Sequence, residues 1–213
     1  MEKDFWFERW ELEQIGFHQD EINPHLKQHG DRLGGRVFVP LCGKSRDMSW
    51  LAKQGAEVLG VELSPIAVRA YFEENGLSAT CRPCGKFESH EAENIRILCG
   101  DFFELGRDDL KGVSAVYDRA SMIALPPGMR ERYVHHMTSI LPEGAKILLI
   151  TLDYPQGEMA GPPFAVSADE VERLYRDFFS MECIAEVDGL TLRFAERGLS
   201  RMQENVFLLK CKG

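Results

Sequence analysis

The sequence lacks the surplus of basic side chains that nucleic acids and anionic membranes require. Its 213 residues include 25 Lys and Arg against 34 Asp and Glu, which gives a formal net charge of −9. Binding to a phosphate backbone or to an anionic lipid surface depends on basic charge. We therefore expect neither a nucleic-acid partner nor a membrane partner.

Long apolar runs are also missing, because charged or polar residues interrupt every candidate for a membrane span. The N-terminal residues Met1–Asp4 include two acidic side chains and do not lead into the apolar stretch of a secretory signal. These features predict a cytoplasmic protein. No apolar stripe or heptad repeat requires a second copy, so the expected state is a monomer.

Cysteines are few and do not form a framework. Cys81 and Cys84 make one C-x-x-C pair, but a zinc site of the usual kind needs a second pair at a suitable spacing. The neighbouring Arg82-Pro83 and Gly85-Lys86 are typical of an ordinary turn. We therefore predict free thiols and no metal site. The six cysteines are Cys42, Cys81, Cys84, Cys99, Cys183 and Cys211.

Short β-rich runs alternate with helical segments along most of the chain. This order predicts an α/β fold: a doubly wound, mostly parallel sheet of seven strands with helices on both faces and an antiparallel C-terminal strand. No linker or repeat divides the chain, so we predict one domain over residues 1–213, with residues 1–34 as an N-terminal helical lid. The predicted strands are Arg36–Val39, Glu57–Val61, Ile95–Leu98, Val113–Tyr117, Lys146–Leu152, Cys183–Val187 and Asn205–Lys210.

Cap residues mark where several helices begin. Asn23 before Pro24, and Ser64 before Pro65, combine a capping side chain with a proline at the first helical position. Ser167 caps a third helix, which begins Ala168-Asp169-Glu170 in the form of a capping box. The predicted helices cover Phe5–Trp10, a short segment from Pro24, Asp47–Gln54, Pro65–Asn75, Met129–Leu141 and a segment from Ala168.

The loop after the first strand is unsuited to phosphate. Gly43-Lys44-Ser45 has the ending of a P-loop, but the first glycine of that motif would fall at Phe38, inside the strand. A dinucleotide fingerprint needs three glycines, and residues 40–47 contain only Gly43. The loop therefore favours a nucleoside ligand without a pyrophosphate.

The ends of two further strands supply the remaining residues of a nucleoside site. Glu62 ends the second strand about 20 residues past the glycine turn, where an acidic side chain holds ribose hydroxyls. Asp101-Phe102 follows the third strand and offers a polar group for the edge of adenine beside an apolar wall for its face. With Gly43, these residues predict an adenosine site without phosphates, and S-adenosylmethionine is the common cofactor that fits it.

Several longer motifs resemble those of the thiopurine S-methyltransferases, and the resemblance covers almost the whole chain. The stretch at residues 39–48, with its P-L-C-G-K-S core, is the most specific of them, whereas related thiol and halide methyltransferases carry something similar to residues 161–164. The matching segments are Phe5–Trp10, Gly16–Gln19, Val39–Met48, Gly60–Ser64, Tyr117–Ala120, Gly161–Phe164 and Glu196-Arg197.

The resemblance implies a class I methyltransferase fold that binds S-adenosylmethionine. It also implies that Arg119 and Arg197 face the methyl acceptor. An aromatic side chain at Trp10 would suit a sulfonium cation, which gains roughly 0.5–2 kcal/mol over an aromatic face. The implied cofactor contacts are Trp10, Leu41, Glu62, Asp101, Phe102 and Arg119.

The expected reaction is methyl transfer to the sulfur of an aromatic or heterocyclic thiol, such as a thiopurine. An in-line displacement from a sulfonium needs alignment and exclusion of water, and the leaving thioether needs no proton. Two alternatives remain open from the sequence. The acceptor could be halide, sulfide or an oxidised selenium or tellurium species, or the chain could be a non-catalytic sensor of the cofactor.

Overall fold

The computed structural model describes residues 3–212, so the first two residues of the predicted lid and the last residue of the chain lie outside it. The chain divides into two compact units, Met1–Tyr117 and Asp118–Gly213. Seven α-helices occur among the described residues. They are α1 (Lys3–Glu11), α2 (Pro24–His29), α3 (Asp47–Lys53), α4 (Pro65–Glu74), α5 (Pro127–Ile140), α6 (Ala168–Tyr175) and α7 (Leu192–Glu196).

Nine strands occur among residues 3–212, two more than the sequence pattern predicts. The additional strands, β3 and β4, form a hairpin between the predicted second and third strands. The nine are β1 (Arg36–Val39), β2 (Glu57–Glu62), β3 (Thr80–Cys84), β4 (Phe87–Ala92), β5 (Ile95–Cys99), β6 (Val113–Arg119), β7 (Lys146–Asp153), β8 (Phe179–Asp188) and β9 (Gln203–Cys211).

The sheet of the first unit has the order β3-β4-β5-β2-β1-β6. Strand β1 pairs in parallel with both β2 and β6, and β2 pairs in parallel with β5, which confirms the predicted parallel core. Because the chain runs outward from β1 in both directions, the order reverses beside β1. Ligands of doubly wound sheets bind at this reversal, beyond the carboxyl ends of the strands. The loop after β1 therefore lies where a ligand is expected.

The β3–β4 hairpin corrects the interpretation of residues 82–86 as an ordinary turn. Arg82 and Pro83 belong to β3, and the turn is limited to Gly85 and Lys86. The side chains of β3 are mostly exposed, so this strand has no apolar face from which a strand could be predicted. Pro83 is tolerated because β3 is an edge strand, where a missing backbone N–H costs little.

In the second unit the strand order is β7-β9-β8, and both pairings are antiparallel, as predicted for the C-terminal strands. Helix α6 packs on β8. The apolar side chains of β7 and β9, among them Ile147, Leu149 and Phe207, are almost completely buried. Strand pairing and burial therefore give this unit its own hydrophobic core.

All three predicted helix caps are confirmed. The side chain of Asn23 accepts hydrogen bonds from the backbone N–H groups of His25 (2.9 Å) and Leu26 (3.3 Å). Ser64 and Ser167 each accept a hydrogen bond from the N–H group three residues later. None of the described helices has the length and apolar composition needed to cross a bilayer.

A buried arginine of the second unit pairs with a carboxylate on the neighbouring helix. Arg130 on α5 is only 2% exposed, and its Nε atom lies 3.1 Å from Oε1 of Glu170 on α6. Burial lowers the pKa of Arg130, and the carboxylate of Glu170 opposes that shift. Nearby, Arg173 and Glu131 form an ion pair at 3.0 Å whose side chains are both more than half exposed.

The two ion pairs predict very different responses to removal of one charge. Glu170→Gln leaves the guanidinium of Arg130 buried without a counter-charge, so we expect it to lower the free energy of unfolding by about 3 kcal/mol. The matched substitution Glu131→Gln, in the exposed pair, should cost less than about 1 kcal/mol. Urea denaturation of both variants measures the difference, and equal losses would contradict the assignment of Glu170 as an essential counter-charge.

Candidate functional site

The loop after β1 is held in an unusual backbone conformation. Leu41 and Gly43 have φ angles of 43° and 54°, in the left-handed region that non-glycine residues rarely adopt. The N–H of Cys42 donates to the carbonyl of Val61 at 3.0 Å, which ties the loop to the end of β2. Strained backbone of this kind persists only where the surroundings enforce it, and it is common at ligand sites.

The carboxylate of Glu62 holds the loop after β1 through hydrogen bonds to the backbone. Its Oε2 atom accepts a hydrogen bond from the N–H of Gly43 at 2.8 Å, and its Oε1 atom accepts one from the N–H of Ser64 at 2.8 Å. The residue is 6% exposed. Burial raises the pKa of Glu62, and the backbone donors of Ser64, Gly43 and Leu63 oppose that rise.

The direction of this pKa shift bears on ligand binding. A raised pKa means that the donors around the ionised Glu62 do not fully replace the water lost on burial. A carboxylate has about four acceptor positions, so positions remain open beside the hydrogen bonds from the backbone. Two hydroxyl groups of a ribose would supply the missing donors.

Asp101 and Phe102 lie beside Glu62 at the end of β5. The N–H of Gly100 donates to the carbonyl of Glu62 at 2.8 Å, which joins the two strand ends. The side chain of Asp101 accepts from the N–H of Phe103 at 2.9 Å and so begins a short 3-10 turn. Phe102 is buried, and Phe103, which sequence reasoning did not single out, is half-buried in edge-to-face contact with it.

Helix α1 reaches both parts of this site. Near its C-terminal end, Trp10 lies over the loop glycine, because a Cβ atom at position 43 would be 3.4 Å from Cζ2 of the indole. At its first residue, Nζ of Lys3 lies 2.7 Å from Oδ2 of Asp101. Phe17 contacts Trp10 edge to face, with ring centroids 5.7 Å apart. The first unit thus brings together the predicted cofactor residues Trp10, Leu41, Gly43, Glu62, Asp101 and Phe102.

In the second unit, Asp118 is a completely buried carboxyl group. The hydroxyl of Tyr133 donates to Oδ2 of Asp118 at 2.6 Å, and the N–H of Met122 donates to Oδ1 at 3.4 Å. Burial raises the pKa of Asp118 from 3.8 to about 6. The contact with Met122 agrees with a capping role in the turn after β6, where Ala120 has a φ angle of 65°.

The two predicted acceptor-facing arginines also belong to the second unit. Arg119 is the last residue of β6 and is half-buried. Arg197 follows α7 and is exposed, with its guanidinium carbon 5.9 Å from the centroid of the Phe194 ring. Its positive charge also acts on the phenol of Tyr154, whose pKa burial raises. The roles of Arg119 and Arg197 stay predictions.

The G-P-P-F segment is tightly bound within the second unit. Gly161 has a φ angle of 77°, and a Cβ atom at this position would meet the Phe164 ring at 2.6 Å, so only glycine fits. The N–H of Phe164 donates to the carbonyl of Ile123 at 2.6 Å, and the hydroxyl of Tyr154 donates to the carbonyl of Pro163 at 2.5 Å. The segment therefore joins the loop after Arg119 to Tyr154, on which the charge of Arg197 acts.

Two residues that support this segment escaped sequence reasoning. Arg130 donates from Nη1 to the carbonyl of Ala165 at 2.8 Å. The amide side chain of Gln156 bridges the N–H of Ala165 (2.9 Å) and the carbonyl of Met159 (2.6 Å). Neither residue lies in a recognisable local motif, and their partners are set by the folded loop, so the sequence carries no signal for them.

Comparison with known proteins decides the family. The family model described as thiopurine S-methyltransferase matches residues 1–212. The chain belongs to the thiopurine S-methyltransferase family. Two proteins named thiopurine S-methyltransferase illustrate the closeness: one from Nitrosospira multiformis is 56% identical and one from Pseudomonas paraeruginosa is 50% identical. The alignments cover 98% of both chains in the first case and 99% of both in the second.

Solved structures agree on the fold. A Burkholderia thailandensis 1,6-didemethyltoxoflavin-N1-methyltransferase, solved with S-adenosylhomocysteine, has a TM-score of 0.66 at 14% identity, covering 99% of this chain and 87% of that one. A TehB-like S-adenosylmethionine-dependent methyltransferase from Corynebacterium glutamicum has a TM-score of 0.55 at 17% identity, covering 96% of each chain. The expected class I methyltransferase fold is confirmed. The chain is an S-adenosylmethionine-dependent methyltransferase.

The position of Glu62 predicts a specific loss of cofactor affinity. In Glu62→Gln a single amide oxygen must accept the hydrogen bonds from the N–H groups of Gly43 and Ser64 and from any ribose hydroxyls. We expect S-adenosylhomocysteine to bind roughly 10- to 100-fold more weakly, since a hydrogen bond to a charged group contributes about 1.5–3 kcal/mol. Calorimetric titration measures this, with Glu57→Gln at the exposed start of β2 as the matched control. Unchanged affinity in Glu62→Gln would show that the ribose assignment is wrong.

The buried Asp118 predicts a pH-dependent stability difference. Its pKa is raised on folding, so its protonated form favours the folded state, and this contribution is lost as the pH rises through about 6. Relative to the wild type, Asp118→Asn should therefore gain about 2 kcal/mol of stability between about pH 4 and pH 8. Denaturation at several pH values measures this gain. The exposed Asp177→Asn serves as control, and a difference that does not change with pH would contradict the prediction.

Proposed function

We propose that this methyltransferase moves the methyl group of S-adenosylmethionine to the sulfur of aromatic or heterocyclic thiols such as thiopurines. The observation that carries the proposal is the near-full-length similarity to proteins named thiopurine S-methyltransferase. The contact of Arg197 with the ring of Phe194 supports it, because a flat aromatic thiol needs an apolar contact surface and a nearby cation.

The cofactor would bind in the first unit. Glu62 would hold the ribose hydroxyls, and Asp101 would contact the edge of adenine, with Phe102 as part of its apolar wall. The strained loop at Leu41 and Gly43 allows the backbone to approach the methionine part of the cofactor. The hydrogen bonds among Gly43, Glu62, Ser64 and Gly100 support this placement of the cofactor.

The N-terminal segment would act as a lid over this site. Trp10 contacts the loop and Lys3 pairs with Asp101, so α1 is placed to exclude water from the sulfonium. Exclusion of water favours the displacement, because it removes the hydration shell of the attacking thiolate. Residues 1–34 therefore serve as the lid of what we propose is a single methyltransferase domain, monomeric and cytoplasmic, without a nucleic-acid partner.

The acceptor would bind beside the second unit's arginines. Guanidinium groups stabilise delocalised negative charge, as in the anion of an aromatic thiol. Arg197 lies over Phe194, and Phe194 packs against a cluster of apolar side chains, so a flat ring has contacts of both kinds. We assign Arg119 a contact with the acceptor and with the cofactor. The cluster consists of Leu152, Tyr154, Met159, Leu199 and Met202, with Ile123, Ala165, Leu190 and Phe194 packed against it.

Removal of either arginine should slow transfer to an anionic thiol. Arg119→Ala and Arg197→Ala are each expected to lower kcat/KM roughly 10- to 100-fold, because each removes a charge-assisted contact made in the transition state. Initial rates of S-adenosylhomocysteine formation with an aromatic thiol measure this. Arg176→Ala, on the exposed surface of the same unit, is the control, and unchanged kinetics in both site variants would refute the acceptor assignment.

The choice of acceptor has its own test. The purified protein is assayed with S-adenosylmethionine and, in turn, an aromatic thiol, iodide, sulfide and selenite. Fastest transfer to the aromatic thiol supports the proposal. Transfer only to the small inorganic species would replace it with a small-anion methyltransferase. Binding of S-adenosylhomocysteine without turnover of any acceptor would indicate a cofactor sensor.

A further inference from the structure

We propose that Cys81 is a thiol–disulfide exchange site, activated by His90 and Glu88 and separate from the methyl-transfer site. All three residues lie on the β3–β4 hairpin, and one side-chain atom of each lies within 4.8 Å of the others. The inference does not rest on the identity of the methyl acceptor.

Strand register places the three side chains on one face of the hairpin. Cys81 and His90 are directly opposite each other in the antiparallel pairing of β3 with β4. Side chains two residues apart on a strand share a face, so Glu88 lies on the same face as His90. Cys84 is three residues from Cys81 and therefore lies on the other face, where Nη2 of Arg96 is 3.1 Å from its sulfur. The C-x-x-C pair is thus not a dithiol unit.

The imidazole of His90 lies between the thiol and the carboxylate. Its Nδ1 atom is 3.1 Å from Sγ of Cys81, and its Nε2 atom is 2.6 Å from Oε1 of Glu88. The contact with Glu88 is close but does not have the geometry of an aligned hydrogen bond. His90 is 6% exposed, and its ring stacks on Phe72 of α4 at an interplanar angle of 21°, which fixes its orientation.

This arrangement suits a thiol better than a metal ion. A single ion coordinates only one nitrogen of an imidazole, and here the two nitrogens face different partners. A thiol, an imidazole and a carboxylate in series form instead the arrangement of an activated sulfur nucleophile, in which the imidazole takes the proton and the carboxylate orients it. Cys81 is an exposed residue at the edge of the sheet, where a small disulfide can approach it.

The exchange step balances with the side chains present. The Cys81 sulfur attacks one sulfur of a small disulfide while Nδ1 of His90 accepts the thiol proton. The disulfide bond of the reagent breaks as the new protein–reagent disulfide forms. The leaving thiolate then takes the proton from the imidazolium. The products are a mixed disulfide at Cys81 and one small thiol, and no further oxidant is required.

Two other exposed cysteines serve as internal references. The sulfur of Cys183 lies near the carbonyl of Ala185 and the carboxylate of Glu186, and burial with this carboxylate raises the pKa of Cys183. The sulfur of Cys211 lies 3.6 Å from the carbonyl of Lys212. Among the described residues, neither Cys183 nor Cys211 therefore has an imidazole beside it to accept the thiol proton as the sulfur attacks a disulfide.

The test follows each cysteine of the full-length protein in one reaction. The protein is mixed with excess 2-hydroxyethyl disulfide near neutral pH, quenched with acid at intervals and analysed by peptide mass spectrometry. A neutral reagent avoids repulsion by the net charge of −9. We expect Cys81 to form the mixed disulfide at least about tenfold faster than Cys183 or Cys211.

Three variants complete the experiment. His90→Gln and Glu88→Gln should both slow modification of Cys81, whereas Cys84→Ser, on the other face, should leave its rate unchanged. If His90→Gln fails to fold, Glu88→Gln decides, because Glu88 is exposed. The proposal is overturned if Cys81 reacts no faster than Cys183 and Cys211, if Cys84 is the fast thiol, or if the folded variants keep the wild-type rate.

Discussion

The carboxylate of Glu62 is the interaction on which the candidate cofactor site depends. It accepts backbone hydrogen bonds from Gly43 and Ser64, and so joins the loop after β1 to the turn that begins α4. Together with the hydrogen bond from the N–H of Cys42 to the carbonyl of Val61, it holds the loop in its left-handed conformation. Because burial raises the pKa of Glu62, the site is also poised to accept further hydroxyl donors from a ligand.

Helix α1, the proposed lid, is held at the site by a few contacts. Its two ends meet two different strand-end segments, through Lys3 at Asp101 and through Trp10 at Gly43. The absence of a side chain at Gly43 is what allows the indole to come so close. A ligand bound between these segments would therefore lie under α1. Asp101 and Gly43, which contact α1, would then also contact the ligand.

Much of this organisation could be predicted from local sequence. Asn23 and Ser64 predict the starts of helices because capping is a short-range interaction. Glu62 is recognisable as a candidate ribose ligand from its place at the end of a strand. The β3–β4 hairpin was missed because the side chains of β3 are mostly exposed and those of β4 are mostly polar, so neither strand shows an apolar pattern in the sequence. Arg130 and Gln156 were missed because each acts on a partner made available only by folding. The pairing of Cys81 with His90 likewise depends on strand register, which the spacing of the cysteines does not indicate.

The most direct test of the central claim is a crystal structure of the protein with S-adenosylhomocysteine. The account predicts both ribose hydroxyls within hydrogen-bond distance of the Glu62 carboxylate, at about 2.6–3.0 Å between oxygen atoms. It also predicts that Trp10 closes over the ligand while the Gly43 N–H still donates to Glu62. A ribose held by other residues, with Glu62 not contacting the ligand, would contradict the account.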